Sequence, residues 1–263
     1  MMNKQQLALI KKDVRGITSN KRLFSVLLII PLFMAVVLPT IFLLTITFTP
    51  LESGDLQDLL AILPVDLPNS DLRVALTGAL LNKIVPLFFL MIPIMSASVM
   101  AASSFVGEKE KRTLETLLYC PLSLKQIYRA KILASFALSM FVSLLSFAAM
   151  LIVVEAELWI TMRNWFLPAI EWLLIILLVA PALSLIAITL IVRGSAKAQT
   201  VEESQQRSVF LILPILMLIV GQFMGVLLLN AWILLGLGAA FAAIAVVLVR
   251  TSAGGYTYEK ILK

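Results

Sequence analysis

Forty-one consecutive residues without a charge, Val209 to Val249, decide what this chain can fold into. About 20 apolar residues of helix cross a bilayer, and a helix rises 1.5 Å per residue. The stretch is therefore too long for one crossing and must form two helices, turning near Leu229–Ala231. A second uncharged run, Leu23 to Leu51, covers 29 residues. The 263-residue chain is 61% hydrophobic and 14% charged, where water-soluble domains carry roughly 25% charged residues. The sequence predicts an all-α polytopic membrane protein with a single transmembrane domain over residues 1–263 and no soluble domain of its own.

Six spans are expected, at about 23–48, 84–106, 132–154, 169–192, 209–228 and 231–249. Residues 3–22 precede them with Lys4, Lys11, Lys12, Arg15, Lys21 and Arg22, among which Leu7, Ile10, Val14 and Ile17 recur at helical spacing. That pattern suits an amphipathic helix lying at an anionic membrane surface. Pro31 and Pro39 are candidate kinks in the first span. The polar segment 52–82 suggests short helices at the outer interface, and 155–168, with Trp159, Trp165 and Phe166, an interfacial hairpin. Glu171, close to the start of the fourth span, reads as an interfacial carboxylate. The small residues of Ser96–Ser104 should face other helices, and the pairs Gly221/Gly225 and Gly236/Ala240 should support close helix packing.

Charge placement sets the orientation. With both termini cytoplasmic, 18 of the 21 lysines and arginines lie inside, and only Arg73, Lys83 and Arg163 lie outside. The same clustering at the ends of apolar runs argues against a nucleic-acid partner, despite a net charge of +6. The chain has no histidine and one cysteine, Cys120, so neither an intramolecular disulfide nor an all-cysteine or histidine metal site is expected. The first apolar run is too long for a secretory signal and has no obvious cleavage site.

Between the second and third spans, Gly107 to Lys131 reads GEKEKRTLETLLYCPLSLKQIYRAK and holds nine of the 36 charged residues. Thr113 is a plausible N-cap with Glu115 in the first turn, and Leu114, Leu117 and Leu118 fall on one face of a very short helix. Pro121 stops it. Ser123 and Gln126 then form a capping box, with Leu122 and Ile127 placed for a hydrophobic staple, so a second helix starts here and runs into the third span. A helix of under two turns is not stable alone in water. Its leucines suit either a partner's groove or this protein's own membrane surface.

The run Glu108-Lys-Glu-Lys-Arg-Thr113-Leu114-Glu115-Thr-Leu117-Leu118-Tyr-Cys-Pro121-Leu-Ser123, with Lys131 beyond, resembles the loop of type-2 ABC exporter (ABC-2) permeases. The family pattern is acidic-basic-acidic, Gly-Thr, a hydrophobic residue, Glu, two leucines, Pro, and a Lys near the next span. One position departs: Arg112 stands where the family has Gly. The resemblance implies a permease subunit in a bacterial or archaeal cytoplasmic membrane, paired with a second membrane subunit (an identical copy or a paralogue). It also implies cytoplasmic ABC ATPase subunits that bind ATP and magnesium. Carried over by position, Thr113 to Leu118 would be a coupling helix, Glu108 and Glu110 would end the cytoplasmic extension of the second span, and Arg112 and Pro121 would flank the docking element. The chain has no Gly-x-x-x-x-Gly-Lys-[Ser/Thr] loop, so it is expected to hold no cofactor and to hydrolyse no ATP itself.

The alternative is an ATP-independent membrane protein such as a secondary transporter, a channel or an immunity protein. Carriers and channels usually place ionisable groups within the membrane, and here only Glu171 comes close. No residue selects a substrate among peptide, lipid and hydrophobic compound.

Overall fold

The structure, a computed structural model, describes residues 4–49, 72–111, 113, 122–195, 198, 200–206, 209–224 and 230–254. Every regular element among them is helical: α1 (Lys4–Thr18), α2 (Lys21–Phe48), α3 (Leu72–Lys83), α4 (Val85–Phe89), α5 (Met91–Glu110), α6 (Leu124–Met162), α7 (Ile170–Leu174), α8 (Ala180–Gly194), α9 (Val201–Gln206), α10 (Val209–Phe223) and α11 (Ala231–Gly254). A π turn, Ile175–Val179, joins α7 to α8. Five stretches are long and apolar enough to cross a membrane: Leu23–Phe48, Leu72–Glu110, Leu124–Met162, Ile170–Gly194 and Ala231–Ser252. The shorter α10 is apolar, and residues 225–229 of the expected fifth span lie outside the described residues.

The segmented α3–α5 rod is the hub, with 78% of its most apolar window buried. α5 packs against both α6 and α8, which also touch each other, while α2 packs on α6 and the rod and α11 on α8. The small side chains of α5 allow both approaches, since Ser96, Ala97, Ser98, Ala101, Ala102 and Ser104 are all buried. α11 lies at the margin, with only 17% of its window buried.

Three stretches depart from the pattern expected of the sequence. The second rod starts at Leu72 instead of near 84, because Leu76, Leu80 and Leu81 form a buried face on α3. It breaks at Ile84 and restarts on Pro86, whose missing N–H is no loss in a first turn. Residues 155–162 belong to α6 and form no hairpin. With neither Gly nor Pro between Leu124 and Met162, that helix runs for 39 residues until Arg163 adopts a left-handed φ of 51°. In α1 the buried face is Leu9, Asp13 and Ile17, whereas Leu7 stays 59% exposed. α2 continues through both Pro31 and Pro39.

Close helix packing also falls elsewhere than expected within the chain. Gly236 and Ala240 lie on the exposed side of α11, and a Cβ added at Gly236 would meet nothing within 4 Å. At Gly238 it would fall 2.6 Å from Leu178 Cδ2 and 3.2 Å from Val179 Cγ2. The contact is with the π turn, where Pro181 leaves the Leu177 carbonyl without its helical donor. Gly221 is half-buried in α10, and Gly225 lies outside the described residues.

Candidate functional site

The end of the bundle that carries α1 gathers three of the four buried charged side chains among the described residues, Asp13, Glu108 and Lys131. Asp13 sits on the buried stripe of α1, between Leu9 and Ile17. Ser104 and Glu108, one turn apart, come from the last two turns of α5, and Lys131 from the second turn of α6. Lys131 Nζ donates to the Ser104 carbonyl at 2.6 Å, to Ser104 Oγ at 3.3 Å and to Asp13 Oδ2 at 3.4 Å. It lies 3.0 Å from Glu108 Oε2, as an ion pair and not an aligned hydrogen bond, and 5.4 Å from the centre of the Phe105 ring. Ser104 Oγ in turn donates to Asp13 Oδ2 at 2.8 Å. Lys12 Nζ completes the set on Glu108 Oε1 at 2.8 Å.

Two carboxylates thus face two ammonium groups, and the cluster is neutral. Its inner members are removed from water, with side-chain exposure of 3% for Lys131 and 5% for Asp13. Losing one partner of a buried pair typically costs about 3–5 kcal/mol, because the other charge stays behind unpaired. The cluster therefore ties α1, α5 and α6 into one unit.

The two helices joined by the 111–123 loop meet in this unit. Glu108 brackets the loop before, Lys131 after. At its start, the Lys111 N–H donates to the Gly107 carbonyl and the Thr113 N–H to the Glu108 carbonyl at 2.9 Å, and Thr113 Oγ1 donates to the same carbonyl at 3.3 Å. These bonds close the C-terminus of α5. At its end, Ser123 and Gln126 make both bonds of the capping box, 2.9 and 3.4 Å. Leu122 and Ile127 pack with Leu9 and Ile10 of α1, so the staple also holds the N-terminal helix. Arg112, Leu114, Glu115, Leu117, Leu118 and Pro121 lie outside the described residues.

Glu110 is turned elsewhere: its Oε2 accepts from the Val201 N–H at 3.3 Å, the first residue of α9. Val201 also packs beside Gly107, where a Cβ would stand 3.7 Å from its Cγ2. The segment between the fourth and fifth apolar helices is thereby joined to the same end of α5.

The residue 3–22 reading of α1 has no counterpart for Asp13. A carboxylate four residues after Leu9 and four before Ile17, on a stripe otherwise apolar, was the available signal. A second cluster was also unmarked in sequence. Arg193, in the last turn of α8, donates through Nε to Ser252 Oγ at 2.6 Å, and through Nη2 to Thr251 Oγ1 and the Leu248 carbonyl. Tyr128 lies beside Ser252 and Arg193, so the ends of α6, α8 and α11 meet there.

The opposite end is organised differently. Arg73 binds the Thr47 and Thr49 carbonyls at the C-terminus of α2. Glu171, expected at an interface, is buried and ion-paired with Lys83. Asn82 Oδ1 accepts from the Ala169 N–H at 2.9 Å, Trp172 Nε1 donates to the Leu81 carbonyl at 3.1 Å, and Glu155 accepts from the Phe166 N–H at 3.3 Å. Of these residues, Leu81, Asn82 and Phe166 also line a cavity of ≈ 200 Å³ between α3 and the 163–167 segment. Among the described residues, no group of three or more His, Cys, Asp or Glu stands together as a metal site.

A family model described as ABC-2 type transporter matches residues 4–221, which span α1, the charged cluster and the loop it brackets. The chain belongs to the ABC-2 transporter family. It is thus an integral, multi-pass permease of the ABC transporter type, in a family that works with ABC ATPase subunits. No curated protein and no solved structure gives a significant match to this ABC-2 permease.

Proposed function

We propose that this ABC-2 permease is the membrane half of an exporter and that a separate cytoplasmic ATPase drives it through the 113–121 segment. The observation that carries this reading is the pairing of Glu108 with Lys131 across the base of that segment, 3.0 Å apart and shared with Asp13 of α1. A push on the loop would reach α1, α5 and α6 together. On this reading both termini and the loop face the cytoplasm, as the distribution of lysine and arginine supports. ATP binding and hydrolysis in the partner would shift two membrane subunits between inward- and outward-facing states, and the substrate would pass between them. The sequence carries no Gly-x-x-x-x-Gly-Lys-[Ser/Thr] loop, and on this reading the nucleotide chemistry belongs to the partner.

The docking test uses Leu114→Arg and Leu117→Arg in the full chain, co-expressed with its ATPase. Both variants insert into the membrane normally and lose ATPase co-purification and transport-coupled hydrolysis. Unchanged co-purification overturns the docking role. Sidedness is checked with single cysteines at positions 60 and 200 in a Cys120→Ser background. Position 60 labels from outside and position 200 from inside; labelling of both from one side overturns the orientation.

A further inference from the structure

α1 presents three distinct strips. Leu9, Asp13 and Ile17 are buried against the bundle. Leu7, 59% exposed, and Val14, two turns on and half-buried, make an apolar strip beside it. At 3.6 residues per turn the next strip round, away from the bundle, is Lys4, Lys11 and Arg15. All three are exposed, and none pairs with a carboxylate among the described residues. The shallow surface on the far flank of these cations, lined by Ala8, Lys11, Lys12, Arg15, Gly16 and Ser19, carries no acidic side chain.

We propose that α1 binds the phosphate headgroup of an anionic phospholipid through Lys4, Lys11 and Arg15, with the acyl chains running along Leu7 and Val14. A soluble anion would need only the cations. A row of cations one step round the helix from an exposed apolar strip matches the two chemistries of a lipid and the order in which a bilayer presents them. The bound lipid also sits next to the charged cluster. Lys12 adjoins Lys11, has a side chain 57% exposed and is held by Glu108. A lipid that fixes the outer side of α1 therefore fixes the height at which Asp13 meets Lys131. This last step rests on the coupling role proposed above; the lipid site itself does not.

The test reads lipid retention by native mass spectrometry of the full chain, without ATPase, after reconstitution in equal amounts of phosphatidylglycerol and phosphatidylcholine. The wild type retains phosphatidylglycerol in preference. Lys4→Gln/Lys11→Gln/Arg15→Gln loses the preference, by roughly fivefold in affinity per cation removed, and high salt weakens it in the wild type. Lys4→Arg/Lys11→Arg/Arg15→Lys keeps it. Equal retention of the two lipids by the wild type, or an unchanged preference in the glutamine variant, overturns the proposal. So does displacement of the lipid by inorganic phosphate together with indifference to Leu7→Ser/Val14→Ser, which would make this a soluble-anion site. Failure here leaves the coupling role standing. Failure of Leu114→Arg to uncouple, with the lipid preference intact, overturns only that role.

Discussion

The two ends of the bundle hold their polar groups by a different balance of contacts. At the α1 end, Lys131 is shared by Asp13, Ser104 and Glu108, with a further bond to the Ser104 carbonyl, and Glu108 is shared by two lysines. At the other end, most polar side chains bind backbone: Arg73 the end of α2, Asn82 the N–H of Ala169, Trp172 the carbonyl of Leu81. A backbone contact fixes one segment in one place. A network of shared charges ties several helices to one another. The α1 end thus joins α1, α5 and α6 through Lys131, and the opposite end joins single segments one contact at a time.

That contrast makes ranked expectations. Lys131→Met leaves Asp13 buried without its cation, while Glu108 keeps Lys12, and should lower stability by about 3–5 kcal/mol in denaturant unfolding of the reconstituted chain. Adding Asp13→Asn and Glu108→Gln should recover much of it. Wild-type unfolding of Lys131→Met would remove the network from the comparison. At the other end, Glu171→Gln should cost less, about 1–3 kcal/mol, because the Lys83 side chain is 28% exposed and can reach water. A cost equal to that of Lys131→Met would erase the difference between the ends. The smallest effect is expected of Asn82→Ala, about 1 kcal/mol, with amide exchange of Ala169 accelerated locally. Exchange that accelerates across α6 as well would show that the far end is cooperative after all.

Local chemistry was legible in the sequence, and distant pairing was not. Ser123 and Gln126 signal a helix start because their bonds span three residues, and the structure makes both. The burial of Ser96–Ser104 followed from side-chain size, which needs no partner to be named. Lys131 and Asp13 are 118 residues apart, and no spacing rule joins them. α11 misled for another reason: it is apolar all round, so nothing told the face of Gly236 from that of Gly238. Only the position of Leu178, on another helix, decides that. The long α6 was hidden by its charges, since Glu155 and Glu157 looked like an end. Both are held instead, Glu155 by the Phe166 N–H and Glu157 by Thr40 Oγ1 at 2.7 Å.

The unbroken length of α6 gives the molecule a lever. Thirty-one residues separate Lys131 from Met162, an arm of about 47 Å at 1.5 Å per residue. Tilting that arm by about 5° about Lys131 sweeps its far tip by about 4 Å. On the coupling proposed above, a small stroke at the fulcrum would be magnified where Met162 lines the opposite cavity.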